Sequence, residues 1–467
     1  MSKQLNKETQ RRELMLKTPI PRLVIKMAIP TVIAMLITSI YNLADAYFAS
    51  GLGTSATAAV GVNTAIDQTI MMAGSFLAIG ANSYIARLLG AKQPDKASRT
   101  LSTSFFTAFL LGILATIFGL IFVEPLVVLL GATDTAKPYA VQYANYILLA
   151  APFMASSFVL NQCLRSEGSA VLSMVGMVTG AILNIGLDPI FIYTLDMGVA
   201  GAAIATSISK LVSFVILVYP YLKRKSVLHL SIKLITFSKD IMREISLMGL
   251  PSLLRMGLTV LAGILMNNLA GDYSDSALAA ISVVSRIMAI PGFATLGLGQ
   301  GFMPVAGYNW GARKFDRVKE SFRFASVFST IAMTFVSILM IVFARQILMA
   351  FTDNDMDMID VGRFCLISQC IVMPLNAWVI MVNMLYSALG RPVGAIILGI
   401  SRQGLCFIPV FFILPAIFGL NGLAATQAAA DLLSVLVAVP FAVSAMRFVD
   451  KTAQAELKTP EQSEHNL

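Results

Sequence analysis

Charge is what this sequence has least of. Only 13% of its 467 residues are Asp, Glu, Lys or Arg, and 57% are hydrophobic; soluble chains carry about 25% charged residues. Such a chain cannot cover an aqueous surface with polar groups, so its main solvent must be lipid. Histidine occurs twice and cysteine four times, as Cys163, Cys365, Cys370 and Cys406. No CxxC pair is present, and two histidines cannot complete a usual zinc site. The cysteines read as small buried hydrophobes. No HExxH run or nucleophile–base constellation suggests an intramembrane enzyme, and no pore-loop motif suggests a channel. The net charge of +9 lies between apolar runs rather than among base-stacking aromatics, so no nucleic-acid partner is expected. No cofactor and no resident metal are expected either.

Long apolar runs are what the sequence has most of. A helix needs about 20 mostly apolar residues to cross the hydrocarbon core. Twelve such stretches centre near Leu36, Ala73, Gly112, Leu149, Gly180, Val212, Ala262, Phe293, Met333, Val372, Leu405 and Val435. The first has no small-residue cleavage site after it and reads as a span rather than a signal peptide. Backbone groups in lipid must be satisfied within their own segment, so the spans are helices. The expected fold is an all-α polytopic membrane protein with twelve transmembrane helices in two pseudo-symmetric six-helix bundles.

Lys and Arg mark the cytoplasmic side of such a protein. Of the 34 basic residues, 27 fall on one side of the predicted spans: the N-terminus, the Arg87–Arg99, Lys223–Arg243 and Arg313–Arg323 loops, Arg165, Arg391 and the tail. The alternate loops are neutral or acidic, with four Asp between Phe351 and Asp360. Both termini are therefore expected in the cytoplasm.

The halves repeat at an offset of 221, by subtraction. Ile29-Pro30 and Leu250-Pro251 open the first and seventh spans; Gly90-Ala91-Lys92 and Gly311-Ala312-Arg313 follow the second and eighth. Gly198-Val199-Ala200-Gly201 and Gly419-Leu420-Asn421-Gly422 open the sixth and twelfth. Six spans per half gives two lobes in the same orientation, with a binding cavity expected between them and alternating access by rocking. The expected divisions are a cytoplasmic segment at 1–20, lobes at 21–222 and 244–447, a cytoplasmic linker at 223–243 and a cytoplasmic tail at 448–467, unstructured after Lys451.

Four acids lie inside the apolar runs, Asp45, Asp67, Asp188 and Asp431, and four bases, Lys210, Arg255, Arg286 and Arg402. A charge at the bilayer centre costs about 2.5–3.5 kcal/mol on insertion scales, so each needs a partner, a wet cavity or a function. Asn184 and Asp188, four apart, share one polar helix face. Burial in general raises a carboxyl pKa, so such a group can take a proton from outside and release it inside. Tyr41 stands one turn before Asp45, placed to hydrogen-bond it or to act as an interfacial aromatic. Pro30 and Pro189 lie in or at the ends of their spans and can bend them. Lys210 and Asp431, 221 apart, either pair across the lobes or pair within their own half. Met177, one of 25 methionines that suit an adaptable pocket, and Arg286 complete the candidates for substrate contact or gating.

The repeat, Tyr41-Asn42-Leu43-Ala44-Asp45 before the Gly51–Gly53 turn, and Asn184-Ile185-Gly186-Leu187-Asp188-Pro189 in span five together resemble the multidrug and toxic compound extrusion (MATE) transporters. The resemblance runs from about Pro21 to Arg447 and is nearest to the DinF-like and related bacterial branches. It implies cation coupling by Asp45, Asn184, Asp188 and Thr206, with bending of span one linked to protonation of its acid. The acid that the NorM-like branch carries on span seven is missing: Pro251 to Thr259 holds Arg255 instead. The function expected from the resemblance is export of amphipathic, mostly cationic small molecules across a bacterial inner membrane by a monomer, not an enzyme. The coupling ion is expected to be H+, with Na+ possible at the same residues. Flipping of a lipid-linked or amphipathic metabolite is the alternative.

Overall fold

The computed structural model describes residues 2–352 and 355–464, which are helical almost throughout. A short helix, α1 (Ser2–Lys17), precedes α2 (Ile20–Ser50), α3 (Thr54–Gly90), α4 (Pro94–Ile121), the short α5 (Val123–Leu129), α6 (Lys137–Ser166), α7 (Ala170–Pro189) and α8 (Gly198–Leu222). The second half repeats the plan with α9 (Lys239–Tyr273), α10 (Asp275–Gly311), α11 (Phe315–Val342), the short α12 (Ala344–Met349), α13 (Met356–Leu389), α14 (Pro392–Ile400) and α15 (Phe407–Glu464).

Among the described residues, eleven helical stretches are long and apolar enough to cross a membrane. The last of these, Pro392–Leu457, has 66 residues. As one rod it would measure about 99 Å, more than three hydrocarbon thicknesses. It is broken at Gly419, whose φ of 56° lies in the left-handed region, and so supplies the eleventh and twelfth passes. Gly198, at φ 55°, makes the same break at the start of α8. Glycine has no Cβ to oppose this conformation. Three residues on, the repeated glycine is needed for space. A Cβ on Gly201 would lie 2.5 Å from the Phe191 carbonyl oxygen, and one on Gly422 would collide with that of Leu414.

The chain forms two compact units, Met1–Lys17 with Ile29–Leu253, and Thr18–Ala28 with Leu254–Leu467. In the first, α6 is the most buried span and packs against α3, α4 and α8; in the second, α13 takes that place against α10, α11 and α15. These units differ from the lobes expected at 21–222 and 244–447. Residues 18–28 belong to the second unit and residues up to 253 to the first. One changeover lies between α1 and α2; the other two fall beside Pro30 and Pro251, inside continuous helices, where loop composition gives no signal. The expected linker is also part of the first unit. Its backbone is laced onto α4: the His229, Ser231 and Thr236 N–H groups donate to the hydroxyls of Ser98, Ser102 and Thr103 at 3.0, 3.2 and 3.1 Å.

The N-terminal segment packs onto the first unit, and the tail is more ordered than expected. Met15 of α1 is fully buried, and Arg11 Nη1 donates to the Gly168 carbonyl at 3.2 Å. The tail continues α15 as helix to Glu464 rather than ending near Lys451. Its Ala, Gln, Glu, Leu and Lys are good helix formers. Arg313 pairs with Glu456 at 3.0 Å, and Lys319 pairs with Asp450.

Candidate cation-coupling site

Four helices of the first unit each bring a polar pair spaced by four residues: Tyr41 and Asp45 on α2, Asn63 and Asp67 on α3, Asn184 and Asp188 on α7, Thr206 and Lys210 on α8. At that spacing both members face the same way. The centre of the arrangement is Asn184. Its Nδ2 donates to Asp188 Oδ1 at 3.2 Å and to Thr206 Oγ1 at 3.1 Å. All three side chains are buried. Asp45 is within Coulombic range of Asp188, Asp67 and Lys210. Lys210 Nζ sits over the Tyr41 ring, 5.1 Å from its centroid, a cation–π contact.

Several buried oxygens here are unmatched. Among the described residues, Asp45 Oδ1, Asp67 Oδ1, Asn184 Oδ1 and Asp188 Oδ2 have no hydrogen-bond partner. Buried acceptors of this kind are costly. Three acids share the region with one lysine, an excess of negative charge that a proton or small cation would relieve.

The structure brings Asp45, Asn184, Asp188 and Thr206 together, with buried Tyr41 beside them. Tyr41 does not hydrogen-bond Asp45; its ring carries Lys210 and its phenol lies near Thr206. Pro30 is buried within α2, more than two turns before Tyr41. Pro189 ends α7, and one π-helical turn, Ile190–Thr194, follows it; Tyr193 Oη on that turn donates to the Phe48 carbonyl at 2.9 Å, tying α2 to α7 just beyond the acids. Met177 lies elsewhere: its sulfur receives Arg165 Nη2 at 3.5 Å, and Arg165, fully buried, donates Nε to Ser173 Oγ at 2.9 Å. Arg286 is exposed on α10, in the second unit. Asp431 is paired within its own unit, with Arg402 Nε and Nη2 at 2.7 and 3.1 Å from its two oxygens. Asp67, Lys210 and buried Tyr143, which also lies near Thr206, were not assigned to this site from sequence. The Asn63–Asp67 spacing, a copy of Asn184–Asp188, is the signal that would have found Asp67.

Two similar six-helix halves, with a carboxylate cluster buried inside the apolar interior of one, define a polytopic membrane transporter rather than an enzyme. The MatE family model matches residues 30–190 and 251–413, once in each half, and the chain belongs to that family. It is 30% identical to the multidrug export protein MepA of Staphylococcus aureus over 426 residues, covering 91% of this chain and 93% of that one. It is equally 30% identical to MepA of Staphylococcus saprophyticus over 415 residues, 88% and 91% of the two chains. Among solved structures, the outward-facing conformation of a multidrug resistance MATE family transporter superposes with a TM-score of 0.88 at 27% identity, over 94% of this chain and 98% of that one.

Proposed function

We propose that this protein exports amphipathic, mostly cationic drugs or toxic compounds, and that inward protons drive the export through Asp45 and Asp188. Membership of the MatE family and the likeness to proteins named for multidrug export support the substrate class. One observation carries the coupling: buried carboxylate oxygens without partners, grouped around the Asn184–Asp188–Thr206 hydrogen bonds. Each inward proton supplies about 2.3 kcal/mol per 100 mV and about 1.4 kcal/mol per pH unit. Asn184 and Thr206 act as neutral partners that hold the Asp188 carboxylate in place. Na+ would have to use the same oxygens. Lys210, within Coulombic range of Asp45 and Asp67, disfavours a second fixed cation there but does not prevent protonation of a carboxylate. The distribution of basic loops favours a bacterial inner membrane location with both termini in the cytoplasm.

A susceptibility panel of dyes and biocides in an efflux-deficient bacterium expressing the chain tests the substrate reading. Resistance to several chemically unlike cations is expected. Protection against none of them, with export of a single anionic or lipid-linked metabolite, would overturn it. For orientation, single cysteines at Thr54, Thr135 and Asp355 should label from outside intact cells, and those at Lys92, Lys233 and Lys314 should not. Outside labelling at Lys233 would reverse the assignment.

A further inference from the structure

The second unit holds the opposite charge inside the same helix plan. Arg255, Arg286 and Arg402 lie in its apolar spans with one acid, Asp431. At the 221 offset, the three arginines correspond to Ala34, Ala65 and Ala181. The repeated scaffold thus folds with alanine at all three positions, so arginine there is not required by the bundle.

Two of these arginines stand on elements that approach closely, α9 and the π-helical turn after α14. Arg402 stands on a π-helical turn, Ser401–Leu405, between α14 and α15. Its guanidinium grips both oxygens of Asp431, and Gln427 Nε2 donates to Asp431 Oδ1 at 2.8 Å. Gly404 on the same turn lets α9 approach closely: a Cβ there would lie 2.9 Å from Leu258 Cδ1. Leu258 is about one turn beyond Arg255 on α9, and the contact carries Arg255 within Coulombic range of Arg402. Asp431 is already committed to Arg402, and Arg255 has no ion-pair partner among the described residues. Both arginines are partly buried, and Cys406, Phe407 and Phe411, which follow Arg402 in the chain, belong to an apolar cluster. A second arginine with no acid of its own, next to a paired one, is the arrangement that recognises a planar oxyanion.

We propose that Arg255, supported by Arg402, forms an anion subsite within the second unit that takes the carboxylate of zwitterionic amphipathic substrates. This rests on the reading of the protein as an exporter of amphipathic compounds, and extends it from cations to molecules that carry both charges. Asp431 and Gln427 position Arg402 rather than touch the ligand.

The probes are a rhodamine with a free benzoate and its methyl ester, which differ only in the acid. Binding is measured by fluorescence polarisation on the full-length protein in lipid nanodiscs. Arg255→Met should weaken the free acid about tenfold and leave the ester within about twofold. Arg255→Lys should recover part of the loss, since it keeps the charge but not the fork. Arg402 is tested only as the pair Arg402→Gln with Asp431→Asn, which leaves no stranded acid, and the same selective loss is expected. Enriching the nanodiscs in phosphatidylglycerol should leave the acid's affinity unchanged; competition by that lipid would assign the arginines to a headgroup phosphate and overturn the substrate assignment. Equal effects of Arg255→Met on acid and ester, or none on either, would overturn the subsite. Wild-type protein that binds both dyes alike also overturns the subsite alone, whereas wild type that binds neither contradicts the export reading as well.

Discussion

In the first unit, Asp45, Asp67 and Asp188 lie in the apolar spans with Lys210; in the second, Arg255, Arg402 and the exposed Arg286 lie in the spans with Asp431. The minority charges, Lys210 and Asp431, stand at equivalent positions 221 apart, while the majority charges do not. Where the first unit has Asp45 and Asp67, the second has Met266 and Met288, and its own arginines replace alanines. The scaffold is repeated down to the backbone: Lys92 and Arg313 both take a left-handed φ, of 59° and 58°, in corresponding turns. The fold therefore tolerates either sign at its centre, and each unit's chemistry is set by a few polar residues placed on a common plan. The proposed coupling role belongs with the acid-rich unit, where, among the described residues, several carboxylates near one another are left with unpaired oxygens.

The largest effect should come from removing charge in the first unit. Asp45→Asn and Asp188→Asn keep shape and remove the titratable group; each should reduce uphill efflux to the passive leak with normal amounts of folded protein in the membrane. Arg255→Met in the second unit should leave uphill export of a purely cationic dye intact. Loss of that export in Arg255→Met, with retention in Asp188→Asn, would reverse the assignment of roles.

A smaller effect is expected from unpairing the second unit. Asp431→Ala strands Arg402 without its acid, within Coulombic range of Arg255. Removing one partner of a fully buried pair costs about 3–5 kcal/mol; the Arg402 side chain is 34% exposed, so about 1–3 kcal/mol is expected after solvent screening. Adding Arg402→Met should restore most of it. Thermal unfolding in detergent measures both, and a double variant no more stable than Asp431→Ala would show that the pair is not the source of the loss.

How much of this was legible beforehand follows the same division. The spans, the repeat and the pairing of Asn184 with Asp188 are local patterns of period 3.6 or fixed offset, and the sequence displays them directly. The exchange of leading turns at Pro30 and Pro251 is not local, since both helices run on through the prolines. Asp67 was legible only through its i, i+4 spacing from Asn63; that it lies near Asp45 and Lys210 depends on how the helices are placed. Lys210 and Asp431 left two pairings open, and only the position of Arg402 on its π-helical turn resolves them in favour of the pair within the unit. Met177 looked like a pocket methionine, but fully buried Arg165 occupies it.

The repeated turns should respond alike in both units. Gly201→Ala drives a Cβ towards the Phe191 carbonyl and Gly422→Ala towards that of Leu414. Each should destabilise by about 1–3 kcal/mol, the usual range for overpacking. Unfolding curves that differ widely between the two would break the structural half of the comparison.

The smallest expected effect lies outside the spans, at Glu167 between α6 and α7. Its Oε2 accepts from Ser226 Oγ at 2.6 Å and from the Val227 N–H at 3.0 Å. Burial nevertheless pushes its carboxyl above the ordinary glutamate value, against the lowering effect of those bonds and of Arg11. The folded chain then holds this proton to higher pH than the unfolded chain. Its stabilising contribution is complete below the ordinary glutamate pKa and declines as pH rises through the folded value. Glu167→Gln should flatten that part of the stability–pH curve, measured by unfolding at a series of pH values. An unchanged slope would assign it to another group.

The central claim is that protons, acting at Asp45 and Asp188, drive export. Dye transport in everted membrane vesicles, with an imposed pH gradient and sodium absent, tests it most directly. Wild-type vesicles should accumulate dye against its gradient, and vesicles carrying Asp45→Asn or Asp188→Asn should not. No transport by wild type until a sodium gradient is supplied would contradict the proton account, and undiminished transport by both Asn variants would contradict the site itself.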